Sequence, residues 1–380
     1  MITFGVDHLQ EYKGEFSKGR VGLLTNITGR SSKLEDTISL LQGVCEVTAL
    51  FAPEHGIRGD FGAGEEVKTY IDVATQLPVY SLYGTKDKRF TKEMLDTFDL
   101  LVYDIQDIGV RFYTYISTLH HAVEDCGKNG KKLMILDRPN PLGGNVVEGG
   151  LLDRAYESFV GCHPMPIRYG LTSGEAAIMI NEEEQFGCEI KVVPCKGWKR
   201  EMLFPQWNKI WISPSLALTN FEATLLYVGT CLIEGTNLSE GRGTAAPFRM
   251  IGASYLDAEV VAKELNQENL KGVVATPTWF TPTTSKENGV KCGGVCLHVT
   301  DQEAIRPVSV GITLLDIIRK IYPEKFAILP PFREGGRPML SLLSGSGILL
   351  GDWKKEELLE AYERDSEAFR IKMETYYLYE

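Results

Sequence analysis

Leu50-Phe51-Ala52-Pro53-Glu54-His55-Gly56-Ile57-Arg58-Gly59 joins an apolar, β-prone run to a sharp polar turn. The run begins at Val47 and stops at a proline, which cannot continue a central strand. Glu54 and His55, two groups able to move protons, follow at once, and Gly56 and Gly59 let the backbone turn. A strand ending this way suits the carboxyl edge of a parallel α/β sheet, where ligands sit. The plain alternative is a loop with a solvated glutamate and a structural histidine, and this stretch by itself does not choose between the two.

Outward from it the same pattern recurs. Val21 to Asn26, Pro78 to Leu82 (leading into Tyr83-Gly84), Asp99 to Asp104 and Lys132 to Asp137 are short, continuous apolar runs. Helical spacing lies between them, over residues 33–41 with Ser32 as cap, 92–97 and 113–126. Continuous apolar runs alternating with helices indicate a mostly parallel sheet covered on both faces. The run ends carry Thr25-Asn26, Glu54-His55, Tyr83-Gly84, Asp104-Ile105-Gln106-Asp107 and Asp137-Arg138-Pro139-Asn140. Packing does not require polar groups at all five ends, so they mark one candidate site. No run is followed by Gly-x-Gly-x-x-Gly, and Gly-x-x-x-x-Gly-Lys-[Ser/Thr] is absent. The layout is therefore Rossmann-like without a nucleotide motif, and no cofactor is expected.

Further along, Thr172 or Ser173 opens a helix with Glu175 in its first turn. Glu189 to Val193 reads as a strand, Phe221 to Leu232 as a buried helix, and Glu234 to Thr244 as a polar loop dense in glycine. From about Tyr255 the pattern is that of a smaller α+β domain. Val273 to Phe280 and Gly294 to Val299 read as strands and Val308 to Ile321 as a helix. Trp353 to Arg370 reads as an amphipathic closing helix with Phe369 on its apolar side. The expected organisation is an α/β Rossmann-like catalytic domain over 1–225 and a C-terminal auxiliary domain over 226–380 that contributes to the cleft.

The 380 residues are 43% hydrophobic and 24% charged, an ordinary globular balance. A net charge of −11 argues against a nucleic-acid partner, because phosphate binding needs a basic surface. The eight cysteines include no Cys-x-x-Cys, and Cys292 and Cys296 have only His298 close by, so no metal site is expected. Scattered thiols suit a reducing compartment. The start of the chain shows no basic segment followed by an apolar one, and no run is long enough to span a bilayer. The expectation is a cytoplasmic protein, or a periplasmic or secreted one if a signal peptide has been removed.

The carboxyl groups able to carry chemistry are Glu54, Asp104, Asp107, Glu234 and Glu240. Glycoside hydrolysis commonly uses two carboxyls, and Glu54 beside His55 suits the acid. Asp104 and Asp107 could instead cap the following helix, and Glu234 and Glu240 could brace their loop. Arg58, Arg111, Arg138 and Arg242 lie near these motifs. Their forks match carboxylates, which points to an anionic substrate or to internal pairing. Tyr113 and its aromatic neighbours could stack on a sugar or pack in the core. His55 with Asp104 or Asp107 could hold a metal, but the spacing is nonspecific, and no Gly-x-Ser-x-Gly supports an α/β-hydrolase.

Pro53-Glu54-His55-Gly56, Tyr103-Asp104-Ile105-Gln106-Asp107-Ile108-Gly109 with Arg111-Phe112-Tyr113-Thr114-Tyr115, Asp137-Arg138-Pro139-Asn140-Pro141-Leu142, Val147-Glu148-Gly149, Glu234-Gly235-Thr236-Asn237 and Glu240-Gly241-Arg242-Gly243-Thr244 together resemble the NamZ-type exo-β-N-acetylmuramidases, glycoside hydrolase family 171. The resemblance covers nearly the whole chain. It implies a Rossmann-like domain, an auxiliary domain and a cleft between subdomains. It implies release of N-acetylmuramic acid from the non-reducing ends of peptide-free peptidoglycan fragments. The family's catalytic glutamate falls on Glu54. Beside it, His55 and Asp104 are expected in catalysis. Asn26, Arg58, Asp107, Arg111, Tyr113, Asp137, Arg138, Glu234, Asn237, Glu240 and Arg242 are expected to meet the saccharide. The lactyl carboxylate of N-acetylmuramic acid would give one of Arg58, Arg111 and Arg242 a purpose. The competing expectations are a non-catalytic saccharide- or muropeptide-binding protein and a metal-dependent hydrolase using His55.

Overall fold

β1 (Val21–Thr25) is buried along its whole length, as a strand covered on both faces must be. In this computed structural model, which describes residues 1–16, 19–59, 69–85 and 87–380, β1 lies inside a seven-stranded sheet. The others are β2 (Val47–Ala52), β3 (Tyr70–Ile71), β4 (Pro78–Ser81), β5 (Leu100–Asp104), β6 (Lys132–Leu136) and β7 (Glu189–Val193). The order is β3-β4-β2-β1-β5-β6-β7. All neighbours are parallel except β3, which pairs antiparallel with β4. Six strands lie where the apolar runs predict them. β3 is two residues long, too short to leave a pattern.

The chain leaves β1 toward β2 and β4, then returns to the other side of β1 for β5, β6 and β7. The winding reverses between β1 and β5, where Thr25 and Asp104 stand side by side in register. Such a reversal opens a crevice at the carboxyl ends of the two strands. It places Asn26 and the Asp104–Asp107 loop on its two lips.

The helix expected over 33–41 forms only at Thr37–Gln42, capped by Asp36, whose side chain accepts from Ile38 N. Leu34 has a left-handed backbone, φ +69°, which interrupts the predicted turn. Ser32 instead turns its hydroxyl to Asp7 at 3.0 Å. The helix Tyr115–Lys128 begins at Thr114, and neither Asp104 nor Asp107 caps it.

At Ser173–Glu183 the expected capping box is present. Glu175 N–H donates to Thr172 Oγ1 at 3.2 Å and Thr172 N–H donates back to the Glu175 carboxylate at 3.0 Å. The same hydroxyl donates to Asp137 at 2.7 Å, tying this helix to the end of β6. Thr172→Ala should cost about 1–2 kcal/mol of unfolding free energy in urea titration. A loss under about 0.5 kcal/mol would show that the cap carries nothing.

By packing, the chain forms two compact units that interleave along the sequence. The first is Met1–Val146, Tyr169–Leu216 and Ile371–Glu380, and the second is Val147–Arg168 with Ala217–Arg370. The packing division falls between Leu216 and Ala217, and residues 147–168 pack with the second unit and the last ten with the first. The second unit holds a three-stranded antiparallel sheet in the order β8-β10-β9. Its strands are β8 (Met250–Ala253), β9 (Val273–Phe280) and β10 (Cys292–Val299). Beside it, helices Phe221–Thr230 and Pro307–Ile321 meet backbone to backbone. A Cβ added to Gly229 would stand 1.8 Å from Pro307 O. The closing helix runs Lys355–Met373 with Phe369 buried. Among the described residues no helix is long and apolar enough to cross a membrane.

Candidate active site

β2 delivers Glu54 into a turn closed by Gly56 N–H on Pro53 O at 3.1 Å. His55 fills the third position of that turn with φ +73°, where glycine or asparagine is usual. A left-handed backbone costs a side-chain-bearing residue about 1–2 kcal/mol. Strain of this kind collects at functional sites. Glu54 is 9% and His55 7% exposed, so the solvated-loop reading of this stretch fails. Thr114 donates its hydroxyl to Glu54 Oε2 at 2.6 Å. The Tyr83 phenol lies against the same carboxylate. Burial first, then the charge and hydrogen bond of Glu54, push that phenol up to about 12. Tyr83 stands two residues past β4, at one of the strand ends marked as the candidate site, whereas Thr114 is not singled out by the sequence.

At the reversal point the loops after β1 and β5 are laced together. Asn26 Oδ1 accepts from Thr28 N at 2.9 Å and Thr28 Oγ1 at 2.6 Å. Thr28 Oγ1 in turn accepts from Gln106 N at 2.9 Å. Asp107 does not cap a helix. Its Oδ2 accepts from Gly109 N at 2.7 Å and from the Tyr169 hydroxyl. Asn26 Nδ2 and Asp107 Oδ1 are both buried and have no hydrogen-bond partner. The Tyr115 hydroxyl donates to Pro214 O at 2.7 Å. Burial raises its pKa, the nearby side chains of Tyr113 and Asn26 pull it back, and the charges of Glu54 and Asp107 add to the rise. One neighbourhood thus holds Asn26, Glu54, Asp107, Tyr113 and Tyr115. Tyr113 packs edge-on against Tyr115 at 4.8 Å and is buried, the core fate of an aromatic.

Burial pushes the Asp107 carboxyl up to about 6, against the pull of Tyr169 and the amides of Gly109 and Ile108. A folded value above the unfolded one means that the folded state binds the proton more tightly. The associated stability is complete below the unfolded value of about 3.9 and is lost as pH rises through about 6. Asp107→Asn should therefore flatten the fall in unfolding free energy between pH 4 and 7 by up to about 3 kcal/mol. Denaturant titrations across that range check this, and an unchanged slope would contradict it.

At the neighbouring strand ends the expected site residues Asp104, Arg138 and Asp137 are engaged with other groups of the protein. Asp104, expected in catalysis, is completely buried. Its Oδ1 accepts from Arg138 Nε at 2.6 Å, and its Oδ2 from Arg138 Nη2 at 2.9 Å and Thr37 at 2.5 Å. Arg138 also donates to Arg30 O at 2.8 Å and lies over the Phe4 ring. The pair braces the sheet edge, with both side chains buried. Asp137 is equally occupied. It accepts from Arg138 N, Gly174 N, Thr172 Oγ1 and the Tyr379 hydroxyl at 3.0, 2.8, 2.7 and 2.6 Å.

Of the other arginines, Arg58 places one nitrogen 3.0 Å from each oxygen of Asp72, and Arg111 is wholly buried. The residues expected from the glycine-rich loop belong to the second unit. There Arg242 pairs with Glu234 at 2.6 Å and Glu240 at 3.3 Å, and Lys286 with Glu240 at 3.0 Å. Asn237 braces the backbone, donating to Lys325 O at 2.8 Å and accepting from Ala327 N at 3.0 Å. Among the described residues no group of three or more His, Cys, Asp or Glu is placed to hold a metal ion.

Comparison with known proteins bears on this geometry. Residues 21–222 match the family described as exo-β-N-acetylmuramidase NamZ, N-terminal, and residues 225–379 match its C-terminal counterpart. The chain is 41% identical to the peptidoglycan β-N-acetylmuramidase NamZ of Bacillus subtilis (strain 168), over all of this chain and 91% of that protein. Two crystal structures of DUF1343 family proteins from Bacteroides fragilis are similar over 100% of this chain and 99% of each of theirs. One has a TM-score of 0.90 at 34% identity, the other 0.79 at 30%. Together with the matching fold, these similarities over the full length show that the chain belongs to the NamZ exo-β-N-acetylmuramidase family.

Proposed function

We propose that this protein is an exo-acting glycosidase that releases N-acetylmuramic acid from the non-reducing ends of peptide-free peptidoglycan fragments, with Glu54 as the proton donor to the leaving oxygen. The observation that carries this reading is Glu54 itself. In a chain of this family, it is a nearly buried carboxyl at a parallel-strand end, on a strained turn, oriented by Thr114 and Tyr83. Fixed hydrogen bonds of this kind hold an acid in one position, and positioning is most of what general acid catalysis requires of the protein.

The substrate carries a lactyl carboxylate, and an arginine is its natural partner. Of the three arginines considered, Arg58 has the most exposed side chain, at 37%. Matched β-glycosides of N-acetylmuramic acid and N-acetylglucosamine test the specificity. A charged hydrogen bond of about 1.5–3 kcal/mol favours the muramide roughly 10- to 100-fold in kcat/KM. Equal rates on the two would refute recognition of the lactyl group. Tight binding of the disaccharide with no bond cleavage would favour a binding protein instead.

A further inference from the structure

We infer that Asn26 and Asp107 together bind the 2-acetamido group of the sugar, Asn26 Nδ2 donating to its carbonyl and Asp107 Oδ1 accepting from its N–H. This assignment rests on the glycosidase reading and names the part of the substrate that the reversal point between β1 and β5 recognises. Asn26 is 4% and Asp107 6% exposed. Each commits one side-chain atom to its own loop, and that commitment fixes where the other atom lies. The atoms left over, one donor and one acceptor, are buried without partners.

Buried polar groups are almost always paired, so two such atoms at one sheet edge call for an explanation. The neighbouring strand ends show the contrast, since Asp104 and Asp137 have both oxygens engaged. The two residues meet at Tyr115, whose phenol feels both the Asn26 amide and the Asp107 charge. A secondary amide offers one N–H and one C=O, the complement of this pair. Glu54 belongs to the same neighbourhood, which suits a substituent on the carbon next to the one being cleaved.

Two isosteric variants isolate the pair. Asn26→Asp keeps the acceptor used by Thr28 and replaces only the donor. Asp107→Asn keeps a carbonyl for Gly109 and Tyr169 and turns the remaining acceptor into a donor. Each is assayed on an aryl β-glycoside of N-acetylmuramic acid and on the matched glycoside with a 2-hydroxyl in place of the acetamido group. The wild type should prefer the acetamido substrate by at least tenfold in kcat/KM, because the analogue leaves buried groups unpaired. Either variant should shrink that preference by about 10- to 100-fold, the size of a lost charge-assisted hydrogen bond. If both substrates slow together with the preference intact, the two residues are structural and the assignment is overturned. It is overturned equally if the preference is absent in the wild type. Calorimetry with free N-acetylmuramic acid separates this from the glycosidase reading. If the wild type cleaves neither glycoside, that reading fails. The acetamido assignment then stands only if the wild type binds N-acetylmuramic acid and both variants bind it at least tenfold more weakly.

Discussion

Glu54→Gln should lower the rate on a natural muramyl disaccharide by about 10²–10⁴-fold, the usual worth of general acid catalysis. The glutamine keeps an acceptor for the Thr114 hydroxyl, so the turn and its neighbours should remain in place. What it removes is the proton. A sugar alkoxide leaves poorly without one, whereas an activated aryl group leaves with little help. The loss should therefore be large on the disaccharide and small in the single-turnover glycosylation of an aryl muramide. If both fall by the same factor, Glu54 is a nucleophile, an electrostatic support or a water-activating base. Asp107 would then be the next acid to examine, because its carboxyl lies in the same neighbourhood and titrates near 6.

Arg138→Met should destabilise the protein by about 3–5 kcal/mol, since it leaves the Asp104 carboxylate buried without its charge partner. The double variant Asp104→Leu/Arg138→Met should recover much of that loss, because a well-packed apolar pair has no ion to desolvate. Urea titration of the two proteins measures this directly. A catalytic Asp104 would leave the double variant stable but inactive. The structure predicts instead that the activity of the double variant, per folded molecule, falls far less than that of Glu54→Gln.

The parallel sheet is legible in the sequence because its central strands β1, β2, β5 and β6 are buried on both faces and so read as nearly unbroken apolar runs, while β7 at the edge alternates with exposed residues. Helix starts are less legible. Ser32 and Asp36 are both good caps, and only the left-handed backbone at Leu34 decides between them. Of the site, Glu54 is legible because a proline and two glycines frame it. The partnership of Asp104 with Arg138 is not, since the residues lie 34 apart and meet only through the β5–β6 pairing. A carboxylate that serves a brace and one that serves a substrate look alike in sequence. What separates Asp104 from Asp107 is the number of donors around each, which only the folded chain reveals. Thr114 was missed for a related reason: a hydroxyl partner carries no charge pattern to betray it.

The central claim is that this chain removes N-acetylmuramic acid from the non-reducing end of a saccharide through the carboxyl of Glu54. The most direct test is to incubate the N-acetylmuramic acid–N-acetylglucosamine disaccharide with wild type and with Glu54→Gln and to measure free N-acetylmuramic acid over time. The account predicts steady release by the wild type and release slowed by about 10²–10⁴-fold in the variant. No release by the wild type, or equal release by the two proteins, would contradict it.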